Sequence, residues 1–338
     1  ENGSGKTSLL EAVYILSLGK SFKKHKQASI VKKGHTNYIV KGEFCSDSIT
    51  NSIAIQMNLN SKKTIKVNGK TIKNRKEIIG KNNVVVLSPE DQAITKGGPK
   101  ERRVFFDRLF SIIDSDYLNI LQDFNRALKQ RNALLFNNKQ VNKESFYSWE
   151  EKLSISAVKL WEIRKKCFCD YLQSLNDVIS NYQKNLILDV HYKERIYKKE
   201  DFEKKLKQTR EKDLLLGSTS HGPHRDNIKI LWTGKDIREH GSQGEHKVSL
   251  ILLKLAEISL IKQKTGKHPI ILSDDVFAKL DLNRSRKLVS YLNDIKKKEK
   301  HPVQTIITTT DVFNLEQSGL ILNNADVETY KLELSWNT

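Results

Sequence analysis

Residues 1–8 read Glu-Asn-Gly-Ser-Gly-Lys-Thr-Ser. Gly5-Lys6-Thr7 supply the last three positions of the phosphate-loop pattern G-x-x-x-x-G-K-[ST]. Gly3 and Gly5 let backbone N–H groups turn toward phosphate oxygens, and the helix that follows presents its positive N-terminus to the same anion. Lys6 would reach the terminal phosphates of a nucleotide, and the Thr7 hydroxyl would hold Mg2+. Asn2, Ser4 and Ser8 complete the candidate ATP-binding loop. The plainer alternative is a glycine-rich turn that merely begins a helix.

A second signal is Ile270-Ile271-Leu272-Ser273-Asp274-Asp275, an apolar run ending in two carboxylates. Such a strand end is the acidic half of a phosphate-loop site. Asp274 would hold Mg2+, through water, and Asp275 would orient the attacking water. A strand points successive side chains to opposite faces, so adjacent acids could divide these roles. Alone, the pair would serve equally well as a helix N-cap; behind a phosphate loop the metal reading prevails. The third signal, Gly241-Ser242-Gln243-Gly244-Glu245, lies 32 residues before Asp274. A Ser and a small Gly at a helix N-terminus can receive a phosphate. A lone S-x-G-E is weak, but between the loop and the acid-ended strand it gains force. His221 and His224 are separated by Gly222-Pro223, which prevents a one-face helical pair, so zinc is not expected. His224-Arg225-Asp226 reads either as structural or as lying near a phosphate.

These residues need elements to hold them. Residues 4–18 carry Leu9, Leu10, Val13 and Leu16 or Leu18 at helical spacing. Residues 37–46 and 51–59 alternate as strands do, and 64–72 is a hairpin around Asn68-Gly69. Val84–Leu87 reads as a buried strand ended by Ser88-Pro89. From 102 to 212 Gly and Pro are absent, and the pattern predicts an all-helical insert without the sustained heptads of a long coiled coil. Residues 193–212 mix both charge signs densely and predict an exposed helix. Then follow a strand at 228–232, an amphipathic helix at 248–264, a strand at 269–273, a helix at 282–295 and a β-branched strand at 303–310. The expected organisation is an α/β ATPase head, 1–101 with 213–338, interrupted by a helical lobe at 102–212.

The 338 residues carry 59 Lys and Arg against 40 Asp and Glu, a net charge of +19. Residues 1–100 hold 18 of these cations against 7 acids, more than half of the excess. Lys outnumbers Arg 46 to 13, which compositional drift explains, but drift does not explain the clustering. A polyanion-binding face is expected, with nucleic acid the leading partner. Lys20, Lys23, Lys24, Lys26, Lys32 and Lys33 form the densest cluster and are the candidate contacts to duplex DNA. No run of about 18 apolar residues is present, so no membrane partner is expected. Cys45, Cys167 and Cys169 make neither a C-x-x-C pair nor a disulfide framework, which fits a reduced, cytoplasmic compartment.

Order and spacing narrow the family. Ser242-Gln243-Gly244-Glu245 resembles the signature motif of ATP-binding-cassette proteins, and Ala278-Lys279-Leu280-Asp281 resembles their D-loop. Lys6 and Ser242 are 236 residues apart, too far for a typical transporter cassette. The gap lacks the coiled-coil arms of chromosome-structure ATPases. The set of Glu1–Ser8, Leu18–Phe22, Ser88–Asp91, Gly98-Pro99, Arg102-Arg103, Gly222–Asp226, Ser242–Glu245, Asp274–Asp281 and Thr308–Asp311 resembles the RecF family of bacterial DNA replication and repair proteins. That resemblance implies an ATP-binding-cassette ATPase head with a helical lobe. It implies a weak DNA-dependent ATPase with ATP and Mg2+ as cofactors, acting as a recombination mediator in gap repair, replication restart and the SOS response to DNA damage. It further implies an ATP-dependent homodimer on double-stranded and gapped DNA, with recombination-mediator partner proteins. In that reading Ser242, Gln243, Gly244 and Glu245 meet a nucleotide held by a second subunit, and Ala278 and Asp281 lie at the dimer interface. Glu90 takes the Q-loop role, and Asp275 stands where the catalytic Glu is usual, one methylene shorter. Thr308–Asp311 lacks the switch histidine of transporters. Alternatives are a structural chromosome-type ATPase and a non-hydrolysing ATP-gated DNA-binding module. The loop pattern's first Gly would precede Glu1, so the chain as written is expected to lack that Gly and the strand feeding it. As written it would bind ATP poorly and leave a sheet edge unpaired.

Contacts to the phosphate backbone release counterions, so affinity for duplex DNA is expected to fall steeply as salt rises, with little dependence on sequence. A binding titration across salt concentrations checks this; a salt-independent affinity would remove the Lys20–Lys33 assignment.

Overall fold

The computed structural model describes residues 4–23, 30–46, 49–59, 63–136, 143–183, 185–193, 198–276, 281–298, 303–320 and 326–332. In chain order the elements are α1 (Lys6–Leu18), β1 (Asn37–Ser46), β2 (Ile49–Asn58), β3 (Thr64–Val67), β4 (Lys70–Ile72), β5 (Val84–Leu87), α2 (Gln92–Lys96), α3 (Pro99–Ile113), α4 (Ser115–Phe136) and α5 (Lys143–Tyr182). They continue with β6 (Leu188–Tyr192), α6 (Lys199–Gln208), α7 (Arg210–Leu216), β7 (Ile228–Trp232), β8 (Lys235–Asp236), α8 (Ile237–His240), α9 (Gln243–Thr265), β9 (Ile270–Asp274), α10 (Leu282–Lys298), β10 (Thr305–Thr308) and α11 (Val312–Gln317). The chain divides into two compact units, residues 1–91 with 261–338, and residues 92–260.

The first unit holds two sheets. One is antiparallel, in the order β1-β2-β3-β4. The turn joining β3 to β4 places Asn68 at φ 49° and Gly69 at φ 78°, the left-handed pair that a two-residue hairpin requires. Alternation buries Ile53, Ile55 and Ile65 from this sheet with Ile15 and Leu16 of α1 and with Ile78. Gly42 on β1 allows the approach, because a Cβ there would lie 2.8 Å from Leu16 Cδ1. The other sheet is parallel, in the order β10-β9-β5. All four residues of β5 are buried, as a strand covered on both faces must be. β5 and β9 pair Leu87 with Ser273, and β9 and β10 pair Asp274 with Thr308, so the carboxyl ends of all three strands lie side by side. α1 packs against these three strands. In parallel sheets that end is where ligands bind.

The second unit combines helices with a small antiparallel sheet, β6-β7-β8. β6 falls inside the stretch expected to be all-helical, which corrects that expectation. Leu188 and Val190 alternate with Asp189 and His191 and are buried against β7, a period-2 signal too short to stand out between long helices. α3, α4 and α5 enclose an aromatic core in which Phe106 meets Phe168 at 4.6 Å and Tyr171 at 5.0 Å. Beside it lie buried ion networks. Arg164 pairs with Asp107 at 2.9 Å and Asp226 at 2.8 Å, and Arg131 pairs with Glu150 at 3.0 Å and Asp213 at 2.8 Å.

The Gly222–Asp226 segment belongs to this scaffold. Asp226 is buried and accepts from Trp161 Nε1 at 3.0 Å, Tyr192 OH at 2.9 Å and Arg164. Gly222 sits at φ 138°, and a Cβ there would crowd the His224 ring at 3.0 Å. His224 Nε2 donates to the Thr219 carbonyl at 2.9 Å. Of the two readings open for His224 and Asp226, the structural one therefore holds. Arg102 and Arg103 lock onto the same region, through the Ile228 carbonyl at 2.5 Å and the Asp226 carbonyl at 2.6 Å. Elsewhere the boundaries shift slightly. The strand expected over 303–310 occupies Thr305–Thr308, and the helix expected from 248 starts at Gln243.

Burial pushes the His224 imidazole from its ordinary 6.5 down to about 4, with the nearby Arg225 and Arg103 adding to the effect. The unfolded chain therefore binds a proton that the folded chain refuses between those values. Stability should be full above pH 6.5 and fall by about 3 kcal/mol as pH drops to 4. Urea unfolding at both pH values checks this, and His224→Gln should flatten that part of the profile.

Candidate nucleotide-binding site

The site in the first unit begins at Gly5, the N-cap of α1, at φ 86°. Only glycine adopts this conformation without cost, and it offers no side chain to satisfy the amides of the first helical turn. Those amides and the helix dipole are thereby left to attract an anion. Lys6 Nζ donates to Ser4 Oγ at 3.2 Å, on the loop itself. Ser8 follows in the first turn of α1.

In the first turn of α1, Thr7 meets a residue 267 positions away: its Oγ1 donates to Asp274 Oδ1 at 2.9 Å. Asp274 ends β9 and is buried. The same Oδ1 also accepts from Thr308 Oγ1, at 2.8 Å, across the β9–β10 pairing. A buried carboxylate must be hydrogen-bonded, and here two hydroxyls from two elements do it. Hydroxyl and carboxylate oxygens are the hard donors that Mg2+ takes, beside phosphate oxygens and water. The open glycine turn, Lys6, Thr7 and Asp274 thus fit a magnesium-bound nucleoside triphosphate in donor type and in placement.

Asp275 departs from the expected geometry. β9 ends at Asp274, and Asp275 adopts φ 51°. The two acids therefore diverge by a backbone turn and not by the alternation of one strand. Asp tolerates this left-handed conformation better than most residues. The Asp275 N–H donates to the Thr308 carbonyl at 3.0 Å, and Thr310 Oγ1 donates to Asp275 Oδ1 at 3.3 Å. Nothing in the sequence pattern singled out Thr308 or Thr310 as partners of the acids. A β-branched strand looks the same whether or not its hydroxyls are used.

Beside β9, the segment after β5 closes on itself. Asp91 accepts from the Ser88 N–H at 2.9 Å and Ser88 Oγ at 3.2 Å, in a short helical turn over Pro89–Asp91. Glu90, the residue expected in the Q-loop role, is exposed on that turn. Asp281 immediately precedes α10, and its Oδ1 accepts from the Arg284 N–H at 3.0 Å while its Oδ2 pairs with Arg284 at 3.1 Å. Among the expected DNA contacts, Lys32 and Lys33 are exposed, whereas Lys20 and Lys23 are half-buried. Two further cations that the sequence reading passed over lie at the C-terminal end of α1. Lys63 Nζ donates to the Gly19 carbonyl at 2.5 Å, and the Arg75 stem covers Gly19, where a Cβ would lie 2.5 Å from Arg75 Cγ. Burial lowers the Lys63 ammonium, and the charge of Arg75 lowers it further. Asn2, Gly3, Lys24, Lys26 and Ala278 lie outside the described residues.

In the second unit, Ser242-Gln243-Gly244-Glu245 forms a reciprocal capping box at the start of α9. The Ser242 N–H donates to Glu245 Oε2 at 2.7 Å, and the Glu245 N–H donates to Ser242 Oγ at 3.2 Å. These hydrogen bonds hold the Glu245 carboxyl below the usual carboxylate range. Ser242 and Gln243 stay exposed. Gly241 is fixed by space, since a Cβ there would lie 2.4 Å from the Ile237 carbonyl oxygen. Burial, reinforced by the Lys96 charge, lowers the His246 imidazole just behind the cap.

The RecF/RecN/SMC N terminal domain family matches residues 1–328. The chain is 35% identical over 320 residues to the DNA replication and repair protein RecF of Lachnoclostridium phytofermentans, covering 92% of this chain and 84% of that one. The chain belongs to the RecF family. To RecF of Geotalea uraniireducens it is 33% identical over 333 residues, 95% of this chain and 88% of the relative. Two solved RecF structures extend the likeness to the fold. One is described as the recombination mediator protein RecF with ATP in the RecFOR pathway, with a TM-score of 0.81 at 31% identity over 91% of this chain and 84% of that chain. The other, described as RecF-ATPrS, gives 0.79 at 30% identity over 97% and 86%. The RecF-type ATP-binding-cassette ATPase head is the fold of this chain.

In this RecF-family chain the capping role of Ser242 is separable from any role toward phosphate. Ser242→Ala should cost about 1 kcal/mol of stability through the lost cap. Ser242→Asp, which can still cap, should restore it in urea unfolding.

Proposed function

We propose that this RecF-family chain is an ATP-dependent DNA-binding recombination mediator of gap repair and replication restart. It would pair as a homodimer on ATP and duplex DNA, and hydrolyse ATP slowly to release. The observation that carries the reading is the Thr7–Asp274 hydrogen bond at 2.9 Å, which joins the phosphate loop to the acid-ended strand. The RecF relatives are named for DNA replication and repair, and the solved RecF structures hold ATP or ATPrS. Both descriptions support carrying those roles to this chain.

Lys6 would hold the terminal phosphates by charge, and the α1 amides would hold them by hydrogen bonds. Thr7 would hold Mg2+ by its hydroxyl and Asp274 would hold it through water; the ion when bound neutralises charge on those phosphates. Asp275 would orient the attacking water. Its carboxylate is one methylene shorter than a glutamate's and is engaged by Thr310, which supports a slow hydrolysis step. Ser242 and Gly244 of a second copy would reach the same nucleotide, tying pairing to loading. Exposed Lys32 and Lys33, with the other lysines of that cluster, would contact the DNA backbone. Recombination-mediator proteins are the expected partners. Among the described residues no helix is long and apolar enough to cross a membrane, and the proposed location is the cytoplasm. A second reading, a non-hydrolysing ATP-gated DNA module, draws on the same short, engaged Asp275. Single-turnover hydrolysis decides between them.

In sedimentation of the full-length protein, ATP with duplex DNA should shift the population to dimer. Lys6→Ala should lose both nucleotide binding and the shift. Ser242→Arg should keep nucleotide binding but stay monomeric. ATP affinity unchanged by Lys6→Ala would overturn the phosphate-loop assignment.

A further inference from the structure

The Thr308–Asp311 run stands where a switch histidine is absent, and its role is open. Thr308 is buried at the end of β10, in register with Asp274. Its hydroxyl lies 2.8 Å from Asp274 Oδ1 and 3.4 Å from the Ser273 carbonyl oxygen. Among the described residues both hydrogen bonds to the Asp274 carboxylate, from Thr7 and from Thr308, fall on Oδ1. Two hydrogen bonds to one oxygen restrain the carboxylate about its otherwise broad terminal torsion and so favour one direction for its second oxygen. Thr7 spends its single hydroxyl hydrogen on this bond, which leaves its lone pairs for a cation. Outer partners of this kind orient ligating carboxylates and tune metal affinity.

We propose that Thr308 is a positioning residue: its hydroxyl fixes the Asp274 carboxylate for Mg2+ and so sets the affinity for the magnesium-loaded nucleotide. The inference rests on the nucleotide reading above and adds to it a residue that touches neither metal nor nucleotide. Valine at 308 keeps the β-branched shape and the strand preference while deleting only the hydroxyl. Serine keeps the hydroxyl.

The test uses full-length wild type, Thr308→Val and Thr308→Ser. Affinity for a fluorescent non-hydrolysable ATP analogue is titrated with Mg2+ and with EDTA, and thermal midpoints are recorded alongside. Thr308→Val should weaken binding in Mg2+ about tenfold, the lower end for losing such an outer partner. Binding in EDTA should stay at the wild-type value, and Thr308→Ser should bind as wild type in both. Equal loss in Mg2+ and EDTA would make Thr308 merely structural, and no loss in Mg2+ would also overturn the proposal. Wild type that binds no analogue in Mg2+ would instead remove the nucleotide reading, and this inference with it.

Discussion

The Asp274 carboxylate organises the first unit. It is an ionisable group at the buried end of a central parallel strand, where an unpaired charge would cost several kcal/mol. Thr7 and Thr308 meet that cost from two elements, one from the helix after the glycine turn and one from the neighbouring strand. The contact ties α1 to β9 and β10 at the sheet end where ligands bind. It also couples a structural necessity to the candidate site, because one of the two hydroxyls that satisfy the carboxylate, that of Thr7, is also one that would hold a magnesium ion.

The second unit meets a similar constraint by different means. Arg131 and Arg164 are fully buried and are each paired with two carboxylates. Such networks add little net stability compared with apolar packing, yet removing one member leaves a stranded charge and costs far more. They connect α3 to α5 and to Asp226, and α4 to α5 and α7. The Gly222–Asp226 segment shows the consequence. A sequence rich in chemically capable residues is consumed by scaffold work, with Asp226 serving Trp161, Arg164 and Tyr192 together. Ser242 and Glu245 show the opposite balance. Their capping box is a local stability device, but it leaves an exposed helix start able to meet an anion.

Much of this was legible in the chain. The Asn68-Gly69 hairpin, the β1–β2 alternation and the all-apolar β5 follow from local rules, because turn chemistry and period-2 patterning act over a few residues. β6 was not legible, since five residues of alternation between two helical stretches carry too little signal. The sequence presents Asp274 and Asp275 as alternating strand residues, whereas the strand ends at Asp274 and a backbone turn separates them. A left-handed residue after a strand depends on what its N–H finds, here the Thr308 carbonyl.

By itself the sequence determined which chemistry was available: a glycine turn with Lys6 and Thr7, an acid pair, a Ser-Gln-Gly-Glu helix start and a basic first third. These are properties of residue type and short spacing, which survive without knowledge of the fold. Only the tertiary structure decided that Thr7 lies against Asp274, that Thr308 shares the same oxygen, and that His224 and Asp226 are spent on the core. Those facts rest on strand register and helix packing between residues dozens to hundreds of positions apart, where no local rule reaches.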